Sequence, residues 1–159
     1  MLSTIPRESA DIATLIFQNQ PLVAGFVAWL IAQLLKLALA LRHGVTRDAL
    51  KKLYSTGGFP SSHASTVTAL ATSCGLNFGF DSVYFAISAV FALVVIYDAF
   101  TLRRETGKHA ELLNKILDDF YKYKRIEPEQ LKELVGHTRF EVFFGFILGI
   151  LVASFVFYL

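Results

Sequence analysis

Gly57-Gly58-Phe59-Pro60-Ser61-Ser62-His63 runs directly into Ala64-Ser65-Thr66-Val67-Thr68-Ala69-Leu70. It is a turn of small residues and a proline, ending in a histidine where an apolar helix begins. Glycine permits close backbone approach, proline stiffens the turn, and the N–H groups that open a helix favour an anion such as phosphate. Backbone donors, hydroxyls and an imidazole are thus brought together at one helix end, which is the setting of a phosphate site at a membrane surface.

Outward from this turn the chain is apolar. Of its 159 residues 54% are hydrophobic, and the mean hydropathy of +0.50 exceeds that of ordinary soluble domains. Four segments, 22–42, 62–80, 82–102 and 140–159, each approach the length a helix needs to cross the hydrocarbon. The second is the least apolar, because its start is rich in Ser and Thr. The expected fold is all-α, an integral-membrane helical bundle of about four transmembrane helices plus an amphipathic cytoplasmic helix. Residues 1–159 form a single membrane domain, with 103–139 as a cytoplasmic insertion. Residues 1–11 read as a short polar tail without the pattern of a removable signal peptide. The single cysteine, Cys74, falls inside the second span, where a buried structural thiol is expected.

Charge placement orients the bundle. Arg42, Arg47, Lys51 and Lys52 follow the first span, and the long connection after the third carries Arg103, Arg104, Lys108, Lys115, Lys122, Lys124, Arg125, Lys132 and Arg139. The turn between the second and third spans has Asp81 and no basic residue. The positive-inside tendency puts both basic connections on the cytoplasmic or equivalent side of a bacterial plasma membrane or an organellar membrane. Basic residues interleaved with Glu and Asp give no nucleic-acid signature, so no nucleic-acid partner is expected.

Within the insertion, Leu112, Leu113, Ile116, Leu117, Phe120 and Tyr121 recur at helical steps opposite charges over 108–124, an amphipathic helix that either lies on the membrane or covers the end of the bundle. A further short helix is expected from Glu127-Pro128-Glu129 to about Val135, stopped by Gly136. Two GxxxG spacings, Gly75/Gly79 and Gly145/Gly149, allow close helix packing either within the bundle or between protomers of a homo-oligomer.

Lys36 near the end of the first span, His63 at the start of the second, Arg103-Arg104 after the third and His137 just before the fourth all fall on one membrane face. Lys36 either snorkels to the interface or aims at an anion. His137 and Glu141 are four apart, so on a helix the carboxylate can hold one imidazole nitrogen and leave the other as nucleophile or base; the simpler role is a helix-cap histidine. Asp98, at the membrane boundary, is a structural ion-pair partner of Arg103 or Arg104, or a metal carboxylate.

Pro60-Ser61-Ser62-His63 resembles the Pro-Ser-Gly-His motif of the type-2 phosphatidic acid phosphatase and vanadium haloperoxidase superfamily. More closely, Gly57 to His63, Tyr97-Asp98-Ala99 with Arg103-Arg104 and Gly107, Leu113-Asn114, and Leu131-Lys132-Glu133 through Gly136-His137-Thr138 with Glu141-Val142 resemble the divergent PAP2 membrane family, over about Gln33 to Gly149. The resemblance implies a phosphatase that hydrolyses a lipid or isoprenoid phosphate monoester or pyrophosphate through a phosphohistidine. His137 would be the nucleophile, Glu141 its orienter and His63 the acid. Lys36, Ser61, Ser62, Arg103, Arg104 and Lys132 would bind phosphate, with no metal and no cofactor. The implied partners are the lipid or prenyl phosphate substrate and the bilayer. The chain departs from the parent pattern at Ser62 for glycine, Glu141 for aspartate, His43-Gly44 for Arg-Pro and Gln130-Leu131 for Ser-Arg. Two alternatives stand beside this reading: a non-catalytic membrane scaffold or anionic-lipid-binding protein, and a magnesium-dependent lipid phosphotransferase using Asp98, Glu105 and Asp118 or Asp119.

Overall fold

A computed structural model describes residues 11–42, 58–121 and 137–159 of the chain, without the side chains of 100, 102–105 and 118–121. Every element in this part is helical: α1 (Ile12–Gln18), α2 (Gln20–Arg42), α3 (Ser62–Phe78), α4 (Val83–Phe100), α5 (Leu102–Tyr121) and α6 (Arg139–Tyr158). The short helix expected over 127–135 lies outside the described residues.

Local chemistry sets the helix ends. The Asn19 side-chain oxygen accepts the Leu22 N–H at 3.2 Å and separates α1 from α2. Ser61 Oγ accepts the Ala64 N–H at 3.3 Å to open α3, and Ser82 Oγ accepts the Phe85 N–H at 3.2 Å to open α4. Gly79, with φ +92°, closes α3 by returning its N–H to the Gly75 carbonyl at 2.9 Å, a left-handed turn suited to glycine. Gly79 therefore caps the helix, and Gly75 leaves room for the Phe80 ring, so this GxxxG pair is not a helix-packing stripe.

Helix α3 lies at the centre, packed against α2, α4 and α6, with α2 also meeting α6. Its inward residues are small or hydroxylic: Ala64, Ser65, Thr68, Ala69, Ala71, Ser73 and Gly75 are all buried. The other GxxxG pair makes the closest approach. A Cβ on Gly145 would run into the Ser61 carbonyl oxygen, and one on Gly149 would sit 2.6 Å from the Ser65 carbonyl oxygen. Gly145 and Gly149 thus serve packing within the chain. Beyond them Ala24, Ala28, Ala69, Val152 and Ala153 form a tight core of α2, α3 and α6.

By length and composition α2 and α6 are able to cross a membrane, whereas the apolar run of α4, Val83–Ala99, is shorter and α3 has only 17 residues, many of them Ser or Thr. Large apolar side chains nonetheless cover the outside of α4, with Ile87 66% and Leu93 67% exposed. An uncovered apolar surface of this extent suits lipid better than water. In α5, which starts six residues earlier than the 108–124 expectation, Gly107, Ala110 and Asn114 turn inward, while Leu112, Leu113 and Ile116 stay exposed.

Candidate active site

Of the expected site residues, Lys36, Ser61, Ser62, His63, His137 and Glu141 meet where α2 ends, α3 begins, α4 ends and α6 begins. Helix α2 carries Lys36 into this region, only 7% exposed, with Nζ donating to Ser62 Oγ at 3.2 Å. Gly58, at φ +106°, lays its backbone along the Lys36 stem; its hypothetical Cβ would stand 3.7 Å from Lys36 Cδ and Cε. Glycine is needed here for its backbone conformation. The turn is then pinned to α6 by the Ser61 N–H, which donates to the Glu141 carbonyl at 2.9 Å, and by an edge-on contact of Phe59 with Phe144.

His137 immediately precedes α6. Its backbone N–H donates to the Ala99 carbonyl at 3.1 Å, which fixes it to the end of α4. Its side chain is held between two partners. Nδ1 lies 3.4 Å from Glu141 Oε2, and Nε2 lies 3.5 Å from His63 Nδ1. A carboxylate only accepts, so the Glu141 contact assigns the proton to His137 Nδ1 and leaves the Nε2 lone pair facing His63. His63 Nδ1–H is then the donor of the second, longer contact.

Glu141 is itself held by a capping box. Its Oε2 accepts the Thr138 N–H at 2.8 Å, and its own N–H donates to Thr138 Oγ1 at 3.3 Å. One carboxylate oxygen therefore both starts α6 and orients His137. The cap of α6 is therefore Thr138 with Glu141 rather than His137, whose side chain docks onto the capping carboxylate.

Burial lowers the His137 pKa most, with the Lys36 ammonium and His63 adding to the shift against the opposing pull of Glu141; it falls from 6.5 to about 4. The ring is neutral at pH 7, as a nitrogen nucleophile must be.

Of the proposed phosphate ligands, Lys36 and Ser62 are thus adjacent to the histidine pair. Ser61 is fully buried, with its N–H and hydroxyl oxygen committed to the Glu141 carbonyl and the Ala64 N–H. The side chains of Arg103 and Arg104, and all of Lys132, lie outside the described residues, as do the side chains of Glu105, Asp118 and Asp119. Asp98 sits half-buried near the end of α4. Among the described residues no group of three His, Cys, Asp or Glu side chains is placed to hold a metal ion.

Fold and site together define a helical protein of membrane type, with a lysine, two histidines and a carboxylate gathered at one end of the bundle. The chain belongs to the Divergent PAP2 family, which it matches over residues 17–152. It is 41% identical over 146 residues to the uncharacterized membrane protein YuiD of Bacillus subtilis (strain 168), covering 84% of this chain and 91% of that protein. No solved structure matches the chain significantly.

Proposed function

We propose that this protein is an integral-membrane phosphatase of four spans that hydrolyses a lipid or isoprenoid phosphate at the cytoplasmic or equivalent face, through a phosphohistidine on His137. The observation that carries this reading is the oriented imidazole: Nδ1 held by Glu141, Nε2 bearing the lone pair, and a second histidine beside it. Nε2 attacks phosphorus as the bond to the leaving oxygen breaks, and protonated His63 gives that oxygen its proton. Neutral His63 then takes a proton from water, whose oxygen attacks phosphorus, and the N–P bond breaks to restore His137 and release phosphate. Lys36 balances charge on the equatorial oxygens, joined by Arg103, Arg104 or Lys132.

Near-attack contact at one end and hydrogen-bond reach at the other place nucleophile and acid roughly 7 Å apart across an in-line phosphoryl group. The 3.5 Å between His137 Nε2 and His63 Nδ1 is about half of that. Substrate must therefore part the two rings, or meet a turned His63 through Nε2. The closed pair also favours the second reading, a protein that binds anionic lipid without turnover.

Phosphate release from a panel of lipid and prenyl phosphates, by protein purified in detergent with EDTA present, tests the proposal. Wild type should turn over and His137→Ala should not. Full activity in His137→Ala removes the nucleophile, and activity that vanishes in EDTA and returns with magnesium replaces the mechanism. Lipid binding by both proteins without turnover by either establishes the second reading.

A further inference from the structure

A groove of about 430 Å³ runs between α4 and α6, lined by Ile96, Val142, Phe143 and Phe146 with Arg139 at its end. Its size is that of a small-molecule site. The lining is apolar apart from the guanidinium, and α4 and α6 touch each other only sparsely, so the groove opens sideways between helices.

Its floor is continuous with the histidine site. Val142 follows Glu141 and packs with Ala64 and Ala99, and Ile96 joins the same cluster. Ala64 follows His63, and the Ala99 carbonyl receives the His137 N–H. Arg139 lies two residues from both His137 and Glu141, is exposed, and has no hydrogen-bond or ion-pair partner among the described residues. From Arg139 to Phe146 the groove follows about 10 Å of helix axis. An apolar trough with an uncommitted cation at one end and a lysine and two histidines beyond it complements an anionic amphiphile.

We propose that the α4–α6 groove takes the hydrocarbon chain of a phosphate-bearing lipid from the bilayer, with Arg139 holding the phosphate at its mouth beside His137; only the subsequent hydrolysis rests on the phosphatase reading. The comparable groove between α2 and α3, lined by Pro21, Phe26, Trp29 and Leu70 among others, carries no charged side chain. Its nearest α2 residue, Trp29, stands about 10 Å along the helix from Lys36. That groove offers a chain a place but gives a phosphate nothing to bind.

The test uses full-length protein in phosphatidylcholine nanodiscs containing phosphatidic acid with a photoactivatable group in its acyl chain. Diacylglycerol with the same chain serves as the neutral probe, and adducts are located by mass spectrometry. Phosphatidic acid should label Ile96, Phe143 and Phe146 well above diacylglycerol. Arg139→Gln should lower that labelling about three- to ten-fold, the range for a partly solvated charge-assisted contact, and leave diacylglycerol labelling unchanged. Arg139→Lys should restore most of it. Equal labelling by the two lipids, indifference to Arg139→Gln, or adducts concentrated on Trp29 and Leu70 would overturn the proposal. Phosphate release measured on the same discs separates the two readings. Release without groove adducts breaks this inference alone, and groove adducts without release break the phosphatase alone.

Discussion

Helices α3 and α4 are neighbours of similar length with opposite surfaces. Helix α3 is the most enclosed of the described elements, yet apart from Val67 and Cys74 its buried face is Ser, Thr, Ala and Gly. Helix α4 is apolar all round, and its largest side chains, among them Ile87, Phe91, Leu93 and Val94, point away from the bundle. In a soluble protein this arrangement would be inside out. In lipid it is the economical one, because tails solvate Ile and Leu as well as a protein core does. Helix association then relies on close packing of small residues and on hydrogen bonds. The least apolar of these helices is therefore the central one, and its polar start is free to form a site.

The comparison breaks most readily at the α3–α6 contact. Replacing Gly149 by Leu drives a side chain into the Ser65 carbonyl and Thr68. It should destabilise the bundle by about 3 kcal/mol or more, since backbone rather than a side-chain tip must move. Loss of the monodisperse peak and a lower Tm in detergent are the readouts; an unaffected Tm would refute the packing.

Lys36→Met separates stability from function. The ammonium is buried and donates to Ser62 Oγ, so an apolar side chain of similar length should raise Tm, while phosphate release falls at least ten-fold. A lower Tm with undiminished release would show that the lysine is structural.

The pH dependence has a definite sign. His137 titrates at about 4 folded against 6.5 unpaired, so between these values the unfolded chain binds the extra proton. Stability should fall as pH drops from about 6.5 to about 4 and level off below, with the slope reduced in His137→Gln. Equilibrium denaturation in detergent across that range would check it; identical slopes in both proteins would contradict it.

The smallest effect belongs to the outer face of α4, where Ile87→Ala should change stability by about 0.5 kcal/mol or less. A loss as large as that of Gly149→Leu would mean that this face is covered by protein.

Much of this was legible in the sequence. The runs 22–42, 62–80, 82–102 and 140–159 fall within two residues of α2, α3, α4 and α6, because apolar length is a strong signal and Ser, Asn and Gly mark the ends. Helix α1 is not legible in the sequence, since Ile12–Gln18 is short and its separation from α2 depends on one Asn19 contact. The period of α5 was visible but not its orientation. Leu112, Leu113 and Ile116 suggest an inward face only by the soluble rule, and Gly107, Ala110 and Asn114 turn inward instead.

The grouping of Lys36, His63 and His137 at one end follows from where the spans begin and stop. Spacing alone does not reveal that Glu141 serves Thr138 and His137 through the same oxygen, or that the imidazoles meet. Nor does it distinguish Arg139 from the other basic residues of its connection, because its place at a groove depends on how α4 and α6 diverge.

The most direct test of the account is a rapid acid-free quench of the protein turning over a lipid phosphate labelled with radioactive phosphorus, followed by peptide mapping. Alkali-stable, acid-labile label on His137 in wild type, and none in His137→Ala, is the result the account predicts. Turnover by wild type with no label under conditions that preserve phosphohistidine, or label on another residue, would contradict it.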